Sequence, residues 1–452
     1  MNTPINKFAT AKRAVRRFTK SRFVRNVVIV ATGTAGAQAI ALATAPIVTR
    51  LYGPNAFGLL GTFSAILAIL TPLSALSYPI AIVLPKCNAE AMGLMKLSLY
   101  IAIATSSLLA LLLLFFGQSA IEILSLQPIK PFVWFFPIAI FFSATLSILA
   151  QWMIREGLFI LTSKVKIVQA IFLNGGKALL GLIAPTGGVL ILLTTIGNGI
   201  YTLMLWASLA ITRKQYWPSR MDSQSTKHKT LRSLAWHYRD FAYYRTPQIV
   251  LNAASQGTPV LILAGYFGAA AAGFYTLART ALSMPSSLIG NAIGDVFYPR
   301  VSRAANQKDN ISTLLWKSTA LLLGAGMLPF GVIFFFGPSL FVVIFGDEWA
   351  TAGHYARWLS IWLLFMLANQ PSVKSLPVIR AQGFHLVFTC LTITLRITTL
   401  IVGYSVFDDD VHSIAAFSIV SAILNILLII ITINRCRKFD RGNAAVEKHG
   451  IH

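Results

Sequence analysis

The chain has 452 residues, 56% of them hydrophobic and 12% charged, with 38 Lys and Arg against 14 Asp and Glu and a formal net charge of +24. Such a composition excludes a water-soluble domain around one core, and the basic excess does not imply nucleic acid, because it lies in gaps between long apolar runs. Hydrocarbon cannot solvate a bare backbone, so these runs read as membrane-spanning helices.

In chain order, residues 1–26 form a basic cytoplasmic arm. Ile5, Phe8, Ala11, Val15 and Phe18 recur there at helical spacing among basic residues, which fits a helix on the inner leaflet or a disordered basic tail. Six spans follow at 27–48, 58–84, 94–116, 132–153, 165–186 and 188–211, making an N-terminal lobe over 27–212. A basic cytoplasmic linker occupies 213–246 and is the only long polar interruption. Six more spans, at 247–266, 274–298, 314–337, 355–376, 385–404 and 411–433, make a C-terminal lobe over 247–433, and a cytoplasmic tail covers 434–452. The expected fold is an all-α polytopic membrane protein with about twelve transmembrane helices in two pseudo-equivalent six-helix lobes around a central cavity.

Charge gives the orientation. Lys and Arg crowd the arm, the linker, the tail and every second gap, with Lys86, Lys96, Arg155, Lys164, Lys166, Arg300 and Lys374 on the same side. The opposite loops carry mainly Arg50 and Lys130, beside Glu122, Asp347, Glu348 and Asp408 to Asp410. The positive-inside rule then places both termini in the cytoplasm. The first apolar run is a full span, so no cleavable signal is expected. Trp134, Trp349 and Trp358 fall near outer ends of spans and Trp152, Trp206 and Trp316 near inner ends, as aromatic belts do. Cys87 and Cys436 face the cytoplasm and Cys390 lies within a span, so no disulfide is expected.

The halves resemble one another. Leu51-Tyr52-Gly53-Pro54-Asn55-Ala56-Phe57-Gly58 matches Tyr266-Phe267-Gly268-Ala269-Ala270-Ala271-Ala272-Gly273 in place and spacing, and Leu84-Pro85-Lys86 matches Tyr298-Pro299-Arg300. Arg155-Glu156-Gly157-Leu158-Phe159 finds an echo in Arg380-Ala381-Gln382-Gly383-Phe384. Both copies lie on the same side, which defines a parallel repeat. Two such lobes can rock about a shared cleft and bind substrate near the bilayer midplane.

Several motifs carry a family resemblance. Thr34 with Gln38, the run from Pro46 to Gly58 and the run from Tyr78 to Lys86 resemble the opening of Wzx-type polysaccharide flippases. Ile289-Gly290 through Asp295-Val296-Phe297-Tyr298-Pro299-Arg300, and Phe345-Gly346-Asp347-Glu348-Trp349-Ala350, resemble their second half. These proteins form the polysaccharide transporter branch of the multidrug/oligosaccharidyl-lipid/polysaccharide (MOP) exporter superfamily. The resemblance implies outward translocation of an undecaprenyl-diphosphate-linked oligosaccharide across the bacterial cytoplasmic membrane, for O-antigen or exopolysaccharide synthesis. Membrane lipids are implied partners, with a polysaccharide polymerase and chain-length regulator beside them; no nucleic acid and no cofactor are expected.

A diphosphate crossing a low-dielectric barrier needs fixed cations, and Arg offers two aligned donors. Arg279 sits early in span eight with no acidic residue within one turn, and is the leading candidate for a diphosphate contact. Its alternative role is snorkelling to the interface. Lys177 and Arg396 fall at equivalent depth in spans five and eleven, as lumenal cations or packing charges. Arg50 closes span one, and Gln38 and Tyr78 are candidates for sugar hydroxyls. Arg357 and His354 read as interface anchors, and Asn198 and Asn369 as helix–helix contacts. Asp295 is the one acid plainly inside a span and the candidate for a coupling ion, or for a salt bridge to Arg300 or Arg303.

No zinc-protease motif, nucleotide loop or serine-nucleophile elbow is present, and the acidic run at 408–410 sits in a short turn, so an enzyme is not expected. The alternatives are a cation-coupled drug exporter of the same superfamily and a membrane scaffold for polysaccharide assembly enzymes.

Overall fold

The computed structural model describes residues 22–85, 87–123, 126–216, 230–283, 297, 301, 310–379 and 381–449. The regular elements among them are all helical. Ten helices there are long and apolar enough to cross a membrane.

The first compact unit lies within Met1–Leu51 and Phe63–Ala254. Its helices are α1 (Arg22–Leu51), most of α2 (Pro54–Ser74), the short α3 (Tyr78–Ala81), α4 (Asn88–Ile123), α5 (Phe135–Arg155), α6 (Phe159–Ile183), α7 (Gly187–Tyr216) and α8 (Leu231–His237). The first turns of α9 (Thr246–Tyr266) also belong to it.

The expected single span over 58–84 is broken in the structure. α2 ends at Ser74, Leu76 and Ser77 take positive φ of 47° and 56°, and α3 restarts the path at Tyr78. Pro72 and Pro79 each remove a backbone donor from this stretch, which weakens the helical ladder where the turn forms. The turn beyond α3 is pinned by Arg155, whose guanidinium donates to the carbonyls of Ile82 (3.2 Å) and Pro85 (2.6 Å) and to Asn88 Oδ1 (3.1 Å). Behind Arg155, Gly157 at φ 70° ends α5. Its N–H reaches the Ile154 carbonyl and that of Leu158 reaches Met153, a paired closure needing a left-handed residue that only Gly adopts without strain.

The second unit lies within Tyr52–Thr62 and Ser255–His452. It holds the start of α2, the rest of α9, α10 (269–283), α11 (Ile311–Phe345), α12 (Ala350–Ala368), α13 (Gln370–Ser375), α14 (Gln382–Phe407) and α15 (Asp410–His449). The expected span at 355–376 begins earlier, at Ala350, and breaks at Asn369 before α13.

Each unit repeats one internal plan. In the first, α5 packs on α4 and on α7, and α7 on α6; in the second, α12 packs on α11 and on α15, and α15 on α14. The repeat is also seen in one contact of the second unit. A Cβ on Gly58 would stand 1.7 Å from the Ala269 carbonyl oxygen, and one on Gly273 would stand 2.0 Å from that of Pro54. Gly58 and Gly273 are equivalent positions, as are Pro54 and Ala269, so the starts of α2 and α10 cross reciprocally at backbone distance. Only residues without a Cβ permit such an approach.

Two tryptophans assigned to interface belts lie in the interior instead. Trp349 is 1% exposed, packed edge-on against Phe57 and Phe274, and Trp152 is 5% exposed in the core with Leu94, Tyr78 and Leu234. Each faces neighbouring helices, which position along a span does not reveal. Trp134, Trp206 and Trp316 are exposed.

Candidate functional site: two arginines on one indole

Among the sequence candidates, Arg279 and Arg396 are brought together. Arg279 lies on α10, one turn beyond Tyr275, and Arg396 lies midway along α14. Their guanidinium carbons stand 4.9 Å and 5.0 Å from the ring centroid of Trp362 on α12. Arg279 also donates to Gln256 Oε1 on α9 (2.8 Å) and to the Tyr275 hydroxyl (3.4 Å). Four helices of the second unit therefore converge on one cationic cluster.

The cluster is rich in donors and poor in acceptors. Among the described residues neither guanidinium has a carboxylate partner. Arg396 Nε and Trp362 Nε1 are both buried without a hydrogen-bond acceptor. Two like charges held close together on half-buried side chains repel, and the negative face of a shared indole offsets part of that repulsion. Electrostatically the cluster is complementary to an anion. Its fixed N–H groups, with two positive charges behind them, suit phosphate oxygens. Beside Arg396, Ser255, Thr258 and Phe417 enclose a space of about 10 Å³, room for about one water.

Four further candidates, Lys177, Gln38, Arg50 and Tyr78, lie in the first unit. Lys177 is half-buried on α6, Gln38 half-buried on α1, and Arg50 exposed in the last turn of α1. Tyr78 was expected at a sugar hydroxyl. It is 5% exposed instead and donates to the Ala235 carbonyl (3.0 Å), so its hydroxyl is already used in packing. Asp295 lies outside the described residues. Lys166, counted from the sequence among the cytoplasmic-side charges at the start of span five, stands within α6 and donates to Thr34 Oγ1 on α1 (3.1 Å). Asn198 and Asn369 bond across helices, to Ser143 and Asn425.

Arg357 is likewise accounted for. Pro338 has no N–H to give the Phe334 carbonyl one turn earlier in α11, and Arg357 Nε donates to that oxygen instead (2.9 Å).

Sequence reasoning missed Trp362 and Gln256. Trp362 sits far from a span end, where an interfacial tryptophan is not expected, and that position was the one available signal.

The fold is all-helical among the described residues, with ten helices there long and apolar enough to cross a membrane. Its structure is similar to that of a lipid II flippase, MurJ, in an inward closed conformation (TM-score 0.69, 12% identity, 93% of this chain and 91% of that one). It is also similar to an inward-facing multidrug resistance MATE family transporter of the MOP superfamily (TM-score 0.68, 11% identity, 90% and 96%) and to a mutant of the MATE transporter VcmN of Vibrio cholerae (TM-score 0.55, 16% identity, 93% and 96%). No curated protein sequence matches. Residues 47–354 match the family described as polysaccharide biosynthesis protein, about two-thirds of the chain, and the chain belongs to that family. The family model thus agrees with the polysaccharide resemblance read from the sequence motifs, and the fold is one shared by MurJ and the MATE transporters.

Proposed function

We propose that this protein is a flippase that moves an undecaprenyl-diphosphate-linked oligosaccharide from the inner to the outer leaflet of the cytoplasmic membrane. The observation that carries the reading is the Arg279–Trp362–Arg396 cluster, two half-buried guanidiniums on a buried indole without an acidic partner. A diphosphate supplies the missing acceptors and neutralises the charge. Family membership supports a polysaccharide pathway, and a lipid II flippase shares the fold.

In this reading Arg279 and Arg396 grip the diphosphate and Trp362 keeps both in place. Lys177, Arg50 and Gln38 are further candidates along the path, and Asp295 remains a candidate for ion coupling. The prenyl chain stays in lipid while the two six-helix lobes (27–212 and 247–433) alternate, with both termini cytoplasmic. An inside-negative potential assists an outgoing anion by about 2.3 kcal/mol per charge per 100 mV. Polymerase and chain-length regulator act on the delivered product.

A cation-coupled drug exporter is the second reading, since MATE transporters share the fold. Two unpaired guanidiniums disfavour a cationic drug.

The test is reconstitution in liposomes with a fluorescent undecaprenyl-diphosphate oligosaccharide on one leaflet and a membrane-impermeant quencher. Protein-dependent loss of protection is expected. Folded protein that moves no such lipid under any imposed gradient overturns the proposal.

A further inference from the structure

Residues 230–245 are a second place where chemistry is concentrated, and the transport reading does not use them. Thr230 caps α8 by accepting from Ser233 N, and a π-helical turn, Phe241–Arg245, leads into α9. One face of this segment is fastened to the first unit. Leu234 is 1% exposed in the core among Ala91, Leu94 and Trp152. Gly93 makes room for it, since a Cβ there would stand 2.5 Å from Leu234 Cδ1. The Ala235 carbonyl accepts from Tyr78, Tyr238 donates to Glu90 (3.4 Å), and Thr246 donates to the Ser77 hydroxyl (2.9 Å).

The other face is bare. Trp236, Tyr243 and Tyr244 are 68%, 67% and 75% exposed, and Arg232, Arg239 and Arg245 are exposed beside them. Arg239 lies 4.2 Å from the Trp236 ring centroid. Asp240 is the single exposed acid of the segment. A surface meeting only water has little reason to present three large aromatics, and one meeting hydrocarbon has none to present three arginines. The combination suits the headgroup layer, where indole and phenol rings rest at the boundary and guanidiniums meet phosphate.

Covalent geometry puts the segment at that depth, because the stretch Phe241–Tyr266, long and apolar enough to cross a membrane, begins within it. From this we infer that residues 230–245 form an in-plane docking surface for anionic phospholipid headgroups, with Arg232, Arg239 and Arg245 on the phosphates and Trp236, Tyr243 and Tyr244 in the interface. Charge complementarity selects the occupant: a face with three arginines and one acid prefers a leaflet rich in anionic lipid.

The surface has a mechanical consequence. The segment that meets the headgroups also holds Ser77 and Tyr78, at the break between α2 and α3, where Leu76 and Ser77 occupy the left-handed region without being Gly. Such turns persist only where neighbours fix them. Headgroup binding therefore acts on the segment that clamps this turn.

The test uses the full chain in vesicles of phosphatidylcholine and phosphatidylglycerol. Spin-labelled versions of each lipid report the fraction immobilised on the protein. Wild type is expected to prefer phosphatidylglycerol. The preference is expected to fall about threefold or more in R232Q/R239Q/R245Q, each arginine contributing up to about fivefold, and to survive in R232K/R239K/R245K. Charge removal elsewhere, in R437Q/K438Q/R441Q, is expected to leave most of it. An unchanged preference in the glutamine triple variant, with helicity and melting retained, overturns the proposal, as does a preference lost equally in the C-terminal control. Neither result depends on transport, so the flippase reading stands or falls separately.

Discussion

Arg279 and Arg396 come from different helices, yet each guanidinium lies about 5 Å from the same ring, that of Trp362. The ring is 3% exposed and its own N–H has no acceptor. Trp362→Leu removes the shared quadrupole and lets the like charges separate. We expect it to lower affinity for a prenyl diphosphate probe about tenfold, because a desolvated cation–π contact contributes up to about 2 kcal/mol. Trp362→Phe keeps a ring and is expected to lose less. Equal binding by wild type and the leucine variant would remove Trp362 from the site.

Arg357 makes a prediction independent of transport. Arg357→Ala strands the Phe334 carbonyl and is expected to lower stability by about 1–3 kcal/mol, read from melting in detergent. Pro338→Ala restores the backbone N–H that this carbonyl lacks. The double variant P338A/R357A should therefore lose less than R357A alone. Simple additivity of the two changes would show that the side chain does not stand in for the missing donor.

At the other end of α11, the Asp440 carboxylate accepts from the backbone N–H groups of Ile311 (3.1 Å) and Ser312 (2.9 Å). A carboxylate there satisfies two of the helix's open donors and complements its dipole. Asp440→Ala is expected to cost about 0.5–2 kcal/mol. Hydrogen exchange should show the first turn of α11 fraying before the rest, and unchanged protection there would contradict the assignment.

The reciprocal glycines are open to a harsher test. A methyl group on Gly273 meets the backbone of Pro54 and Gly58, which cannot rotate away, so Gly273→Ala is expected to impair folding or force α2 and α10 apart. Gly175→Ala, at a helical position with nothing within 4 Å, serves as the control and is expected to be neutral or slightly stabilising. Normal melting of G273A would mean that the helices cross less closely than described.

The order of spans was legible because hydrocarbon imposes the same demand on every segment, and the long apolar runs follow that demand. Arg279 and Arg396 were legible for the converse reason: a charge inside an apolar run is costly and therefore conspicuous. Trp362 was not, since an indole among Leu and Phe carries no such cost. The break at Leu76 and Ser77 was hidden as well, because neither residue is the glycine that usually announces a left-handed turn. The start of α6 at Phe159, earlier than the apolar run from 165 suggested, was not legible. The repeat around Gly58 and Gly273 could be read as a pattern, but its close contact depends on how two helices meet.

The most direct test of the central claim compares translocation by wild type and R279Q/R396Q in the liposome assay, with insertion and melting matched. A charge-assisted hydrogen bond contributes about 1.5–3 kcal/mol, so the rate for the diphosphate-linked oligosaccharide is expected to fall by more than about tenfold. Wild-type rates in the double variant would contradict the account, because the anion would then cross without the two cations assigned to hold it.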